Sequence, residues 1–328
     1  MNVTNALSFD AVHQQVSARA ARALPDVVVD TADLSMLPTG LLIAKGMPAL
    51  RLNDHARGQL GSLLGIRWAK WFANATPEER SDEVSRRLQR SPGQLKIRAW
   101  RDDTGAAEGV VRAFLAPTFT PIDDVRIFEQ MRAMLRGLVE AYRFTAVTFT
   151  DSTTHYTAVS PEGFDVDGRG DVLHPGWHLR NSEVGAAALT LDDHWLRLVC
   201  SNGLMVRVGG KRSLYRTHRA IEDDQLAAAM MIAVGRLPER AKVSFEWLKA
   251  AKAVVVPHAD DAVAAVLGDS AEVPRAMLEE AQRTVLRDGD LTRFGVVQAI
   301  TYVAHAVNKD PDVRFAMERL AGDYLAAA

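Results

Sequence analysis

The stretch LHPGWHLRNSEVG, residues 173–185, sets two histidines, a tryptophan, an arginine, an asparagine and a glutamate in thirteen positions. Residues of these types serve several kinds of chemistry. His174 and His178, four apart, could ligate a metal from one face of a helix. Pro175 and Gly176 stand between them and argue against a helix. In a strand the even offset keeps both on one face but roughly 13 Å apart along it, too far for one zinc ion. Only a turn at Pro175-Gly176, with His194 or Glu183 joining, would assemble a site, so no metal ligand is assigned. Cys200, in RLVCSNG, could form a thiol dyad with His178. An apolar strand ending in a turn instead favours a buried, inert thiol.

Other catalytic signatures are weak. The chain carries neither a Gly-x-Ser-x-Gly elbow nor a Ser-x-x-Lys pattern. The aspartate pairs at 123–124, 192–193, 223–224 and 260–261 read as turn or helix-start residues. No Walker loop or dinucleotide fingerprint occurs, although VGGKRS at 208–213 would suit a phosphate-binding turn. No cofactor is expected, and no catalytic residue is assigned.

The charge pattern points elsewhere. Between Asp193 and Glu222 there is no acidic residue, while Arg197, Arg207, Lys211, Arg212, Arg216, Arg219, His194 and His218 all fall there. Trp195 and Tyr215 are interleaved with these cations, and Trp177 and Arg180 lie just upstream. Cations that track phosphates, with rings on which bases stack, are what sequence-tolerant binding of single-stranded DNA requires. The competing reading is a solvated basic face paired with acids elsewhere, such as those of the helices after Ile221.

These residues must be carried by a fold that the totals constrain. The 328 residues suffice for one large domain or two ordinary ones. An apolar share of 48% with 24% charged residues is that of a globular chain. The net charge of −2 excludes a globally basic nucleic-acid binder, so any such role needs uneven charge. A single cysteine excludes an intramolecular disulfide and a multi-cysteine zinc site. No secretory signal or membrane span is read, so a cytoplasmic protein with no membrane partner is expected.

Residues 1–50 read as a partly extended arm suited to an inter-subunit contact. Asn53 should cap a helix running to Phe72. Thr76, followed by Pro77, Glu78 and Glu79, should start a second. From residue 94 to 208 the chain turns to short strands rich in Val, Thr, Phe and Leu, interrupted by one helix near Val125–Leu138. LHPGWHLRNSEVG falls on a strand ending in a turn: Asn181 and Ser182 bond local backbone, Gly185 takes a positive φ, and Glu183 pairs with Arg180 or Arg197. Asn202-Gly203 should form a hairpin turn. Beyond Ile221 apolar residues three and four apart predict helices to the end, with Asp290-Leu291-Thr292 and Asp310-Pro311-Asp312 punctuating the last two.

The segments VRAFLAPTFTPID (111–123), GWHLRNSEVG (176–185), RLVCSNG (197–203) and the His218-Arg219 step resemble a family of phage- and plasmid-encoded proteins classed as a domain of unknown function. RLNDHARGQLGSLLGI and VQAITYVAHAVN extend the resemblance over residues 50–310. FTP at 119–121 departs from the aromatic step the family shows there. The resemblance implies association with mobile genetic elements and brings no assigned activity.

The expectation is an α+β protein: an arm at 1–50, a core at 51–219 with a mostly antiparallel sheet and one inserted helix, and a helical region at 220–328. Its function would be non-specific binding or annealing of single-stranded DNA, as a homo-oligomer. Arg180, Arg197, Arg207, Lys211, Arg212, Arg216 and Arg219 would meet phosphates, and Trp177 and Tyr215 would stack on bases. The alternatives are a metal- or thiol-dependent enzyme centred on His174, His178, Glu183 and Cys200, or a factor that occupies a host protein through its helical half.

Overall fold

The computed structural model describes residues 6–66, 70–71, 74–105, 108–166, 168, 170–197, 202–206 and 212–327. The fold is α+β, and its strands form two sheets rather than one. The first sheet has the order β1-β5-β6-β4-β3-β2, with β1 Val27–Asp30, β2 Leu34–Met36, β3 Leu42–Ala44, β4 Leu50–Leu52, β5 Gln94–Arg101 and β6 Gly109–Leu115. Residues 27–50, within the segment expected as an arm, thus supply three of its strands and the first residue of a fourth. Val29, Leu34, Leu42 and Leu50 are buried there against helices α2, Asp54–Leu64, and α3, Pro77–Arg90. Short strands spaced by turns give little periodicity, so the segment resembles an arm until its pairing is seen.

Both of those helices start as their sequences dictate. The Asn53 side chain accepts from the backbone N–H of Ala56 at 2.8 Å. Thr76 and Glu79 form a reciprocal capping box, with Pro77 at the first helical position. The first of them ends at Leu64, short of the expected Phe72, because Gly65 turns left-handed.

The second sheet carries β7 Arg143–Phe149, β8 Thr154–Val159, β10 Val172–Asn181, β11 Leu189–Arg197 and β12 Asn202–Val206 in the order β12-β11-β10-β8-β7. The short β9, Phe164–Asp165, pairs with β10, and β13, Leu214–Arg216, pairs with β11. All of these pairings are antiparallel. Asn202 and Gly203 lie inside β12, opposite Arg197 and Leu196, and so are strand residues rather than the expected turn. The residues that turn the chain there, 198–201, and with them Cys200, lie outside the described residues. Asp192 and Asp193 likewise sit in mid-strand, not at a turn.

The two faces of this sheet differ in kind. One is apolar: Tyr156, Ala158, Trp177, Leu179, Leu189 and Leu191 pack against α1 (Phe9–Ala20), α4 (Asp124–Val139) and α5 (Asp223–Gly235). Across the register, His178 stands opposite Thr157 and Asp192, while Gly176 stands opposite His194. Alternation along each strand therefore gathers His155, Thr157, His178, Arg180 and His194 on the other face. That face is covered by α9 (Arg293–Ala306) and α10 (Pro311–Ala326), part of a helical assembly with α6 (Leu237–Ala251), α7 (Ala259–Leu267) and α8 (Arg275–Asp288). Helix α10 lies directly on β12: a Cβ at Gly322 would come 1.5 Å from the carbonyl oxygen of Met205.

Candidate functional site

The polar sheet face and the last two helices enclose a cavity of about 340 Å³. Thr145 and Thr148 of β7, His155 and Thr157 of β8, His178 of β10 and His194 of β11 line the sheet side. His305, Arg314, Phe315 and Glu318 line the helix side. Helix α10 begins where the Asp310 side chain accepts from the backbone N–H of Asp312, with Pro311 at the first position. Residues 312, 315 and 318 then project from one face, three apart, toward the sheet.

A continuous polar chain runs along the cavity wall. Thr157 Oγ1 is 2.9 Å from His178 Nδ1, and His178 Nε2 is 3.2 Å from His155 Nδ1. His155 Nε2 lies 3.2 Å from Thr153 Oγ1 and 3.4 Å from Asp312 Oδ1. Thr153 donates to Asp312 Oδ2 at 3.0 Å, and Arg180 donates to Oδ1 through Nε and Nη2 at 2.9 and 2.5 Å. Burial works against the Asp312 charge, but the His155 contact and the Arg180 guanidinium outweigh it and hold the carboxyl below its ordinary range.

The remaining histidines flank a second carboxylate. His305 Nε2 is 2.5 Å from Glu318 Oε1, and His194 Nε2 is 3.7 Å from Oε2. Burial alone would raise Glu318; the His305 charge and contact outweigh it and bring the carboxyl down to about 2. Burial pushes His194 down to about 4 against the pull of Glu318, and pushes His178 well below the ordinary histidine value, aided by His155. Both rings are therefore neutral at physiological pH. Gly203 is required beside them, because a Cβ there would lie 2.4 Å from His194 Nε2. Among the described residues no three His, Cys, Asp or Glu side chains are grouped so as to hold a metal ion.

The motifs that carried the family resemblance meet at a different, sealed place. Arg112, Asp123, Asp124, Asn181, Ser182 and Glu183 converge where α4 starts. Glu183 accepts from Arg112 Nη2 at 2.6 Å and from the backbone N–H of Asp124 at 3.0 Å. Asp124 accepts from Tyr156 at 2.9 Å, Asn181 at 2.8 Å and Thr154 at 3.1 Å. Burial and the neighbouring Glu183 charge raise Asp124 well above the ordinary carboxylate range, against those three bonds. Arg98 ties the knot to the first sheet by donating to Asp123, Asp26 and the carbonyl of Glu183. Ser182 closes the turn by donating to Ser152 O and accepting from the Ala186 N–H. His218 accepts from the Ile122 N–H. Gly185 adopts a φ of 78°, as expected of the turn. Glu183, however, pairs with Arg112 rather than with Arg180 or Arg197. NSEVG is thus a clamp that starts a helix and joins two sheets.

Of the basic-window arginines among the described residues, Arg197 and Arg212 face acids, while Arg216 and Arg219 are exposed. Trp177 is fully buried against Tyr142 and Phe144 and presents no face to a base, which corrects its assignment as a stacking residue. Arg180 is held by Asp312 in the cavity wall, and Arg197 donates to Asp171 and Gln298. Arg212 lies 4.0 Å from Asp192 and beside the Tyr215 ring. Tyr215 is 53% exposed, and Arg216 and Arg219 are exposed with it. Arg207 and Lys211 lie outside the described residues. Of the residues proposed for an enzyme, His178 joins the cavity, His174 Nδ1 bonds Ser160 O away from it, and Glu183 belongs to the clamp.

Sequence reasoning missed His155, Thr157, His305, Asp312 and Glu318. One signal was available: Glu318 interrupts the apolar face of a helix whose Phe315, Met317 and Leu325 are core. Among the described residues no helix is long and apolar enough to cross a membrane. No family model, curated protein or solved structure matches the chain, and the phage and plasmid resemblance rests on its quoted motifs alone.

Proposed function

We propose that this protein binds a small polar molecule in the histidine-lined cavity and acts on it by acid–base chemistry. The observation that carries this reading is the contrast between the two faces of one sheet. The face toward α1, α4 and α5 is apolar and packed. Between the other face and helices α9 and α10, four histidines, Glu318 and Arg314 line an open space, with Asp312 against His155 beside it. Burying such groups is costly, and a purely structural interface would be filled with apolar side chains. Histidines backed by carboxylates at a cavity wall are suited to moving protons. The test is hydrolysis of a panel of small esters, amides and phosphoesters, with histidine ring NMR signals recorded alongside. Turnover that His178→Ala removes, with shifts at the cavity rings, is the expected result. No turnover and no ring shift with any member would overturn it.

Binding of single-stranded DNA is a second reading, favoured by Tyr215, Arg216 and Arg219 standing exposed together after β13. Fluorescence anisotropy with single-stranded and duplex oligonucleotides across a salt series tests it. Removing one cation from the phosphate track, as in Arg216→Glu or Arg219→Glu, should flatten the log K against log salt slope by about 0.7. Absence of binding at low salt would dismiss it. Sizing with and without the oligonucleotide tests the expected homo-oligomer.

A further inference from the structure

We propose that Thr157 is a nucleophile of the cavity, activated by His178 through a relay that ends on His155 and Asp312, and that it takes small acyl esters. The inference rests on the cavity reading and names its reacting group. It follows from the direction of the hydrogen bonds. Asp312 is ionised and can only accept. Thr153 spends its hydroxyl proton on Asp312 Oδ2, so at 3.2 Å it accepts from His155 Nε2–H. With Nε2–H given to Thr153, His155 offers its Nδ1 to accept from His178 Nε2–H at 3.2 Å. His178, neutral in turn, has a bare Nδ1 that accepts the Thr157 hydroxyl proton at 2.9 Å. Each link fixes the next, and the free lone pairs of Thr157 Oγ1 are left to the cavity it lines.

The second ring has a physical purpose. His178 faces His155, His194, Glu318 and Arg180, and its burial makes it a poor place to leave a proton. When the Thr157 proton arrives on Nδ1, the Nε2 proton can pass to His155, whose charge then sits beside Asp312. The arrangement has the nucleophile, base and orienting carboxylate of acyl-transfer sites, with one histidine inserted. Thr157 Oγ1 attacks the ester carbonyl carbon, forming a C–O bond, while its proton enters the relay. The ester C–O bond breaks, the leaving alcohol takes the Nδ1 proton of His178, and His155 returns a proton to His178 Nε2. Water then attacks the acyl-threonine, gives a proton to His178, and Thr157 departs with it, releasing the acid. Arg314, whose Nε donates to Ala304 O, supplies a guanidinium to the opposite wall where negative charge develops.

The test uses 4-nitrophenyl acetate with the full chain. Wild type should give a nitrophenol burst and an acetyl group mapped by mass spectrometry to Thr157. Thr157→Ser should keep the adduct. Thr157→Val, which fills the same volume without a hydroxyl, should lose it and slow turnover by about 10²–10⁴-fold. Asp312→Asn, a change at a positioning residue, should slow acylation by at least about 10²-fold while the adduct still forms on Thr157. Hydrolysis that survives in folded Thr157→Val would overturn the nucleophile while leaving the cavity reading in place, with water attacking directly. An adduct on another residue, or none in wild type, would also overturn it.

Discussion

Glu183 offers the sharpest test of how the fold is held together. Its carboxylate is 8% exposed, takes a charge-assisted bond from Arg112 at 2.6 Å, and accepts the backbone N–H of Asp124 at the start of α4. Glu183→Gln keeps the shape but has a single acceptor oxygen, so it removes the charge facing Arg112, a residue 3% exposed, and turns an NH2 toward one of the two donors. Breaking a buried pair by neutralising one partner costs about 3–5 kcal/mol, because the other charge stays desolvated. Trp100, 3.8 Å from the Arg112 carbon, offsets a part of this by cation–π attraction, on the order of 1 kcal/mol. A net loss of about 3 kcal/mol is therefore expected. Urea unfolding, with the denaturant slope unchanged, reads it as a lowered midpoint. Glu183→Leu combined with Arg112→Met should recover most of the loss, since an apolar pair of similar volume replaces a buried ion pair at little cost. A Glu183→Gln variant within about 1 kcal/mol of wild type would refute a clamp that holds its charges desolvated.

Further expectations follow from the same geometry. His194, held at about 4 against an ordinary 6.5, is neutral when folded, so the unfolded chain takes up the proton first. Its contribution is full above 6.5 and is lost as pH falls toward about 4, by up to about 3 kcal/mol; His194→Gln should flatten stability against pH in that window. Asp124 has the opposite sign: its raised value makes stability fall as pH rises toward about 7, and Asp124→Asn should remove that slope in urea melts. Gly322→Ala places a methyl 1.5 Å from Met205 O and should lift α10 off the sheet, seen as weaker hydrogen-exchange protection in β12 and α10 with loss of any cavity activity. Thr76→Ala, at a capping box far from the cavity, should cost about 1 kcal/mol and leave ligand binding unchanged by calorimetry.

What could be read in the residues was what local chemistry decides. Asn53, Thr76, Thr292 and Asp310 cap helices because each bonds a backbone N–H two or three positions away. The α+β class and the helical end also follow from periodicity. LHPGWHLRNSEVG was harder because β10 is central and buried on both faces, so Trp177 and His178 are equally hidden and alternation loses its polarity signal. The partners of the basic residues are hidden for a related reason. Asp171 answers Arg197 of the charge window, and Asp312 answers the upstream Arg180 from 132 residues away. Sequence distance conceals such pairings. The cavity itself depends on register between β8, β10 and β11 and on the docking of α10, neither of which any single segment encodes.

That separation sets an order of events during synthesis. The strand histidines leave the ribosome more than a hundred residues before the helix that closes over them, as the 132-residue span from Arg180 to Asp312 measures. At typical rates of about 5–20 residues per second, a growing chain spends several seconds with this polar face uncovered. During that interval Arg180 has no Asp312 to neutralise it, and His155 has no carboxylate to orient its ring. A chain not yet extended to Asp312 therefore lacks the carboxylate that completes this polar cluster, which closes when Gly322 seats against β12.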